Sequence, residues 1–181
     1  MAPLLVESAP ILPEVKIITP RVFTDDRGFF METYSERAYA EAGIPGPFVQ
    51  DNRSSSRRGV LRGLHYQSPN PQGKLVYVVC GSVWDVAVDI RPGSSTFGRW
   101  TGIELSDDTP RQVYIPAGFA HGFIVLSERA DFIYKCTAYY SPADEHALLW
   151  SDPDLAIDWK AANPIVSAKD RQGGLLRDIR A

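Results

Sequence analysis

The groups of this 181-residue chain best suited to move a proton at neutral pH are its three histidines, His65, His121 and His146. An unperturbed histidine titrates near about pH 6.5, so it can accept a proton, and a carboxylate partner stabilises the imidazolium that forms. Metal sites in β-barrels instead commonly use two histidines two positions apart together with a carboxylate. Gln67 and Phe123 occupy the positions two after His65 and His121. The sequence therefore predicts no metal site.

Other kinds of catalytic site find little support in the sequence. There is no Gly-x-Ser-x-Gly elbow and no Gly-rich phosphate loop, so a serine nucleophile and a nucleotide loop of the usual kinds are disfavoured. The two cysteines, Cys80 and Cys136, are too few for a disulfide framework and are interpreted as small strand residues. General acid and base chemistry by His, Tyr, Lys and carboxylates remains.

Composition predicts one globular domain spanning residues 1–181, since 44% hydrophobic and 23% charged residues are ordinary values. A net charge of −3 argues against a nucleic-acid partner, which would favour clustered Lys and Arg. The N-terminus has no signal-peptide pattern and no apolar run is long enough to cross a membrane. We therefore expect a cytoplasmic protein with no membrane partner.

Residues 60–140 form short β-branched and aromatic runs broken by Gly, Pro, Asn and Ser, which predicts an all-β sandwich or barrel. Residues 75–80 and 83–91, joined by Gly81 and Ser82, are typical of a hairpin with a type II′ turn. In the second of these strands Trp84, Val86, Val88 and Ile90 share a face predicted to be core. The opposite face, with Asp85, Ala87 and Asp89, faces either solvent or a ligand-binding barrel mouth, and periodicity alone favours solvent.

Residues 111–126 predict another strand pair around a turn at 116–118, with His121, Phe123 and Val125 on one face. From residue 132 to 140 the same alternation places Tyr134, Cys136 and Tyr140 together. One short helix is predicted at 35–42, with Ser35 as N-cap and Gly43 as its stop. The tail after residue 150 is rich in turn signals and predicts turns and short helical pieces around the barrel.

Ordered motifs along nearly the whole chain resemble the dTDP-4-dehydrorhamnose 3,5-epimerase family. The clearest is Val-Leu-Arg-Gly-Leu-His-Tyr-Gln at 60–67, and further motifs lie at 24–32, 48–53, 72–74, 115–123, 132–135 and 167–170. The resemblance implies a cupin-like double-stranded β-helix, or jelly roll, with an N-terminal strand extension and short C-terminal helical segments. It also implies a homodimer that exchanges N-terminal strands, and no cofactor.

The resemblance assigns a role to each site residue. His65 is implied as the base, Asp170 as its partner, Tyr134 as the proton donor and Lys74 as the cation beside the ketone oxygen. The implied contacts to the dTDP-sugar substrate are Arg27, Glu32, Gln50, Asp51, Asn52, Arg62, His121, Tyr140, Glu145 and Lys169, with Arg27 and Glu32 reaching the partner subunit.

The implied reaction inverts C3 and C5 of dTDP-4-dehydro-6-deoxy-D-glucose. Removing a proton next to a ketone needs a positioned base and charge stabilisation for the enolate, which suits the residue types assigned. A relative that inverts one carbon, a cupin that only binds nucleotide sugars, and a metal-dependent cupin enzyme remain as alternatives.

Without the resemblance, these residues have plainer interpretations. His121 suits a satisfied barrel residue, and Tyr134 and Tyr140 suit the aromatic core of a barrel face. Lys74 would be an exposed charge at the start of a strand. Arg27 and Glu32 suit the margins of an edge strand, and Lys169 and Asp170 a solvated tail. His146 matches no implied role and is assigned to the surface.

The spacing of Arg62 and His65 conflicts with a shared site. Residues three apart in a regular strand point to opposite faces. A bulge near Gly63 would bring both side chains to the same face.

Overall fold

The computed structural model describes residues 4–179, whose regular secondary structure is mainly β-strand. In chain order the strands are β1 (Leu5–Ser8), β2 (Lys16–Thr19), β3 (Val22–Asp25), β4 (Gly28–Met31), β5 (Gln50–Arg57), β6 (Val60–Gln67), β7 (Lys74–Cys80), β8 (Ser82–Asp89), β9 (Trp100–Ser106), β10 (Gln112–Ile115), β11 (Phe119–Val125), β12 (Arg129–Cys136), β13 (Glu145–Ala147) and β14 (Ile165–Val166). One α-helix, α1 (Glu36–Glu41), lies between β4 and β5. Two 3₁₀ turns, Asp170–Gln172 and Leu176–Asp178, lie near the C-terminus.

The strands form two main sheets and a separate hairpin. The first sheet has the order β1-β2-β10-β7-β12-β5, and the second has the order β13-β6-β11-β8-β9 with β14 added in parallel to β6. The hairpin pairs β3 with β4. This arrangement confirms the predicted jelly roll with an N-terminal strand extension and short C-terminal helical segments.

The barrel core lies between the inner faces of the two sheets, where Val83, Ala87, Phe123 and Phe132 pack together. A second apolar cluster covers the outer face of the second sheet, where the C-terminal tail contributes Trp159 among others. The strands of that sheet are therefore buried on both faces.

Periodicity favoured solvent as the environment of the polar face of β8, and the burial of both faces of the strand corrects this interpretation. Asp85 and Asp89 do not face solvent, because they are only 2% and 0% exposed. Asp89 is held by Arg91, Ser94 and Thr96. Asp85 faces the barrel interior, as the alternative interpretation required.

The two hairpins expected around Gly81 and Gly118 are wrong, although the strands themselves are confirmed. β7 and β10 belong to the first sheet, whereas β8 and β11 belong to the second. Each turn therefore carries the chain from one sheet to the other. Gly81 has a φ of +77°, and a Cβ there would lie 2.0 Å from the carbonyl oxygen of Arg129. The turn signal was correct, but it does not specify which sheet receives the next strand.

The predicted helix is confirmed as α1, which ends before Gly43 at a φ of +79°. Ser35 occupies the N-cap position, as predicted, although its side chain makes no capping hydrogen bond within residues 4–179. None of the helices between residues 4 and 179 has the length and apolarity needed to cross a bilayer.

Candidate active site

A cavity of about 400 Å³ opens into the barrel between the two sheets. Of the residues predicted to act in the site, it is lined by Gln50, Asn52, Arg62, His65, Lys74, His121, Tyr134, Tyr140 and Glu145. These residues come from both sheets and from the connection after β12, so folding is what assembles them.

His65 is held by a carboxylate from the distant tail. Its Nε2 donates to Asp170 Oδ1 at 2.6 Å, and the Asp170 side chain is 5% exposed. The tail reaches this point because β14 pairs with β6, and the backbone N–H of Asp170 donates to Ser167 Oγ at 3.0 Å. Burial by itself would raise the pKa of Asp170, but the hydrogen bond and charge of His65, with Ser167 and the Gly63 N–H, hold it below its ordinary value. Asp170 is therefore an anion that can orient His65 and stabilise its protonated form.

A β-bulge at Gly63 brings Arg62 and His65 to the same cavity. His65 pairs with His121 and Arg62 pairs with Phe123, with a break in register between them. Gly63 has a φ of +118°, and a Cβ there would lie 2.6 Å from the Cα of Gly122. Only glycine fits this position, and the bulge expected from the sequence is confirmed.

Tyr134 lies on β12 with Phe132 and Cys136 on the inward face, as the alternation predicted. β12 ends at Cys136, so Tyr140 reaches the cavity from the following connection. Burial is the largest effect on Tyr134, and it raises the pKa of the phenol. Tyr134 is therefore a protonated donor at neutral pH.

Lys74 begins β7 opposite Cys136 and lines the cavity. The plainer interpretation of an exposed charge is wrong, because the residue is partly buried. Burial lowers the pKa of the Lys74 ammonium, and the surrounding Cys136, Asp85 and Glu145 act in the opposite direction. Among residues 4–179 no carboxylate forms an ion pair with Lys74, so the cation is free to meet a developing oxyanion.

His121 lies deeper in the cavity and has its own carboxylate partner. Its Nε2 donates to Asp85 Oδ2 at 2.8 Å, and His121 is 7% exposed. Burial lowers the pKa of His121, and Asp85 offsets this only in part. Alternation along β8 left Asp85 facing either solvent or a barrel mouth, and its pairing with His121 was not predicted.

The rim of the cavity is tied together by Glu145. Tyr140 donates its hydroxyl proton to Glu145 Oε2 at 2.7 Å, and the Lys169 ammonium donates to the same oxygen. Burial opposes ionisation of Glu145, but Lys169 and Tyr140 hold the pKa of its carboxyl below the ordinary value. Lys169 thus lies at the rim beside the segment that carries Asp170.

Three predicted contacts lie away from this cavity. Asp51 points to the outer side of β5 and pairs with Lys135 at 2.9 Å. Arg27 is in the turn between β3 and β4, where its side chain is 90% exposed and bonds Asp25, and Glu32 follows β4 at the surface. Within one subunit none of the three can touch a ligand in the barrel.

The cavity also contains polar residues that sequence reasoning missed. Tyr66, Gln67, Gln72 and Ser54 belong to its lining, and Ser54 Oγ is buried with no hydrogen-bond partner in the described part of the chain. The signal was the alternation along β5, which continues from Gln50 and Asn52 to Ser54.

His146 lies at the surface, where it stacks on Tyr66 with ring centroids 5.2 Å apart. Between residues 4 and 179 no three His, Cys, Asp or Glu side chains converge as metal ligands would.

The sequence model of the dTDP-4-dehydrorhamnose 3,5-epimerase family matches residues 10–178. The chain belongs to this family. The resemblance stated from the motifs is confirmed.

Individual members of the epimerase family match over almost their full length. A dTDP-4-dehydrorhamnose 3,5-epimerase of Pseudomonas aeruginosa is 57% identical over 169 residues, which is 92% of this chain and 93% of the relative. The crystal structure of a Legionella pneumophila 3,5-epimerase in complex with dTDP-4-keto-L-rhamnose has a TM-score of 0.93 at 52% identity and covers 96% and 93% of the two chains. A 3′-monoepimerase from Streptomyces bikiniensis, in complex with dTDP-quinovose, has a TM-score of 0.85 at 35% identity and covers 98% and 88%.

Proposed function

We propose that the protein converts dTDP-4-dehydro-6-deoxy-D-glucose into dTDP-4-dehydro-L-rhamnose by inverting C3 and C5 of the sugar. The observation that carries this proposal is that His65, fixed by Asp170, faces the same cavity as Tyr134 and Lys74. A base, an acid and a cation are what two inversions next to a ketone need. Membership of the 3,5-epimerase family supports the substrate.

In this mechanism His65 removes the proton from the carbon beside the C4 ketone. With Nε2 bonded to Asp170, Nδ1 carries the lone pair that accepts the proton. The electron pair of the C–H bond moves onto the ketone oxygen, and the ammonium of Lys74 stabilises the enolate. Asp170 stabilises the imidazolium that results.

Tyr134 then donates its phenolic proton to the enolate carbon from the opposite face of the ring. The balance of one inversion is a proton gained by His65 and a proton lost by Tyr134, so both groups must exchange with solvent before the second inversion. Each inversion therefore takes one solvent hydrogen into the product. C3 and C5 both adjoin the C4 ketone, so the same pair can serve both.

The rim residues suit the nucleotide part of the substrate. Arg62 and Lys169 lie at the cavity mouth and offer charge-assisted donors to a diphosphate, and Tyr140 lines the same opening. Gln50 and Asn52 line the same side from β5. A local cluster of donors explains how a chain of net charge −3 would hold an anion.

We also propose that the active form is a homodimer in which the β3–β4 hairpins are exchanged. The hairpin carries Phe23 and Phe30, which contact each other on one face, and Phe29 on the other face. They are 49%, 70% and 68% exposed, and exposed aromatic surface of this kind is typical of an interface. Exchange would bring Arg27 and Glu32 to the partner's cavity. Size-exclusion chromatography with light scattering tests it, and a monomer that is fully active would exclude the exchange.

Deuterium incorporation in D₂O, followed by NMR, is the experiment that tests the reaction. Label at both C3 and C5 is the expected result, and label at one carbon would establish a single-carbon epimerase like the Streptomyces relative. A protein that binds dTDP-sugars but incorporates no label, in wild type and in His65→Ala alike, would be a binding protein and not an enzyme.

The proposed steps use only side chains of the protein. Metal analysis of the purified, fully active enzyme tests this, and a stoichiometric transition metal needed for activity would overturn it.

We place the enzyme in the cytoplasm, since Cys80 and Cys136 are both free thiols and thiols persist in a reducing compartment. Fractionation of cells with an antibody to the protein tests the location.

A further inference from the structure

The inner face of β5 contains a serine that contacts the arginine at the cavity mouth. Ser56 is 8% exposed, and its Oγ accepts a hydrogen bond from Arg62 Nε at 3.0 Å. The bond joins a strand of the first sheet to β6 of the second sheet. It therefore fixes Arg62 across the gap between the two sheets.

The terminal N–H groups of the Arg62 guanidinium remain available to a ligand. Its two terminal nitrogens make neither a hydrogen bond nor an ion pair with any residue of the 4–179 segment, and the residue is exposed. A guanidinium held at Nε presents its terminal N–H groups in a fixed direction, which is the geometry for a bidentate contact to a phosphate.

We propose that Ser56 is a positioning residue that holds Arg62 ready for the diphosphate of the substrate. This inference rests on the proposed function, which places a nucleoside diphosphate in the cavity. A long arginine side chain at an exposed position loses rotamer freedom when it binds an anion. Ser56 restricts Arg62 before the ligand arrives, so less freedom is lost on binding.

The neighbouring serine provides a matched control. Ser55 lies on the outer face of the same strand, where its Oγ accepts a hydrogen bond from Arg129 Nε at 2.9 Å. Ser55 and Arg129 thus form the same kind of pair, away from the catalytic cavity.

The first test measures dissociation constants of dTDP and of thymidine by calorimetry. Ser56→Ala is expected to weaken the binding of dTDP about fivefold, the usual effect of one hydrogen bond. It should leave thymidine binding unchanged because thymidine has no phosphate. Ser55→Ala should change neither dissociation constant, and Ser56→Thr should bind dTDP as the wild type does. In the epimerase assay Ser56→Ala should raise KM and leave kcat within about twofold of wild type.

A double-mutant cycle decides whether Ser56 acts through Arg62. In the Arg62→Ala background, Ser56→Ala is expected to have no further effect on dTDP binding. An equal loss in both backgrounds, or an equal loss for thymidine, would overturn the positioning role. Ser56→Cys, which keeps the shape and weakens the acceptor, replaces Ser56→Ala if the alanine variant does not fold.

The cycle also separates this inference from the proposed function. If Arg62→Ala binds dTDP as well as wild type, the diphosphate contact assigned to Arg62 fails and the role of Ser56 fails with it. If Arg62→Ala weakens dTDP but Ser56→Ala does not, the contact stands and only the positioning role is overturned.

Discussion

His65 Nε2 and Asp170 Oδ1 lie 2.6 Å apart although 105 residues separate them in the chain. The contact depends on the parallel pairing of β14 with β6, which brings the C-terminal tail against the strand that carries His65. The histidine that we propose as the base is therefore oriented by a segment outside the barrel sheets that form the cavity.

Replacing Asp170 should impair catalysis more than folding. Asp170→Asn removes the anion that orients His65 and stabilises its imidazolium, so we expect kcat to fall by about 100-fold or more. Deuterium incorporation and steady-state kinetics measure the loss. Asp158→Asn is the control, because Asp158 lies in the same tail, at the surface, and its only side-chain partner within residues 4–179 is Lys160. Equal activity of the two variants would remove Asp170 from the mechanism.

Tyr134→Phe should separate proton removal from inversion. Without the phenol, His65 can still take a proton and return one to the same face, while delivery to the opposite face is lost. In D₂O we expect label in recovered substrate, with product formation slowed by about 100- to 10,000-fold. Tyr139→Phe, at a residue 72% exposed, should behave as wild type. Normal inversion by Tyr134→Phe would assign the proton donor to another group.

Lys74→Met should lower activity and raise stability. The ammonium of the partly buried Lys74 disfavours the folded state at neutral pH because its burial lowers the pKa of the group. We expect kcat to fall by about 100-fold, since the enolate loses its cation. Urea denaturation should show a higher midpoint for the variant.

The stability gain of Lys74→Met should shrink as pH rises. A group whose pKa is lowered on folding binds more protons in the unfolded state at pH values between the two pKa values. As pH rises from the folded-state pKa of Lys74 to its ordinary value of 10.5, the free energy of unfolding of the wild type therefore increases relative to that of the variant. A gain that is constant up to pH 10.5 would contradict the buried charge.

Gly63→Ala should damage both the fold and the site. The φ of +118° and the 2.6 Å approach to Gly122 leave no place for a Cβ, so we expect a loss of at least about 2 kcal/mol in the free energy of unfolding. Gly59→Ala is the control, because Gly59 also has a positive φ, +78°, but apart from its chain neighbours no atom of residues 4–179 lies within 4 Å of the added Cβ. The control should lose about 1 kcal/mol and keep its activity. Equal losses would show that backbone strain alone, and not the contact with Gly122, restricts the position.

Strand alternation and residue spacing in the sequence predicted several features of the site. Alternation placed Tyr134 with Cys136 on an inward face, and the spacing of Arg62 and His65 demanded a bulge at Gly63, which the structure contains. These features depend on residues within a few positions of one another, so the sequence carries them directly. The motifs added the family and the residue types of the reaction.

Pairing between distant strands was decided by the tertiary structure alone. The turns at Gly81 and Gly118 looked like hairpins, but the closed barrel sends each following strand to the opposite sheet. Asp85 looked solvent-facing because alternation does not say what covers a face, and the barrel interior buries it beside His121.

The amino-acid sequence by itself determined which groups can exchange protons and which strand faces carry them, because both follow from residue type and local periodicity. The tertiary structure decided which of these groups meet. Long-range packing between the sheets and the tail brings Asp170 to His65 and Ser56 to Arg62, and no local pattern encodes either contact.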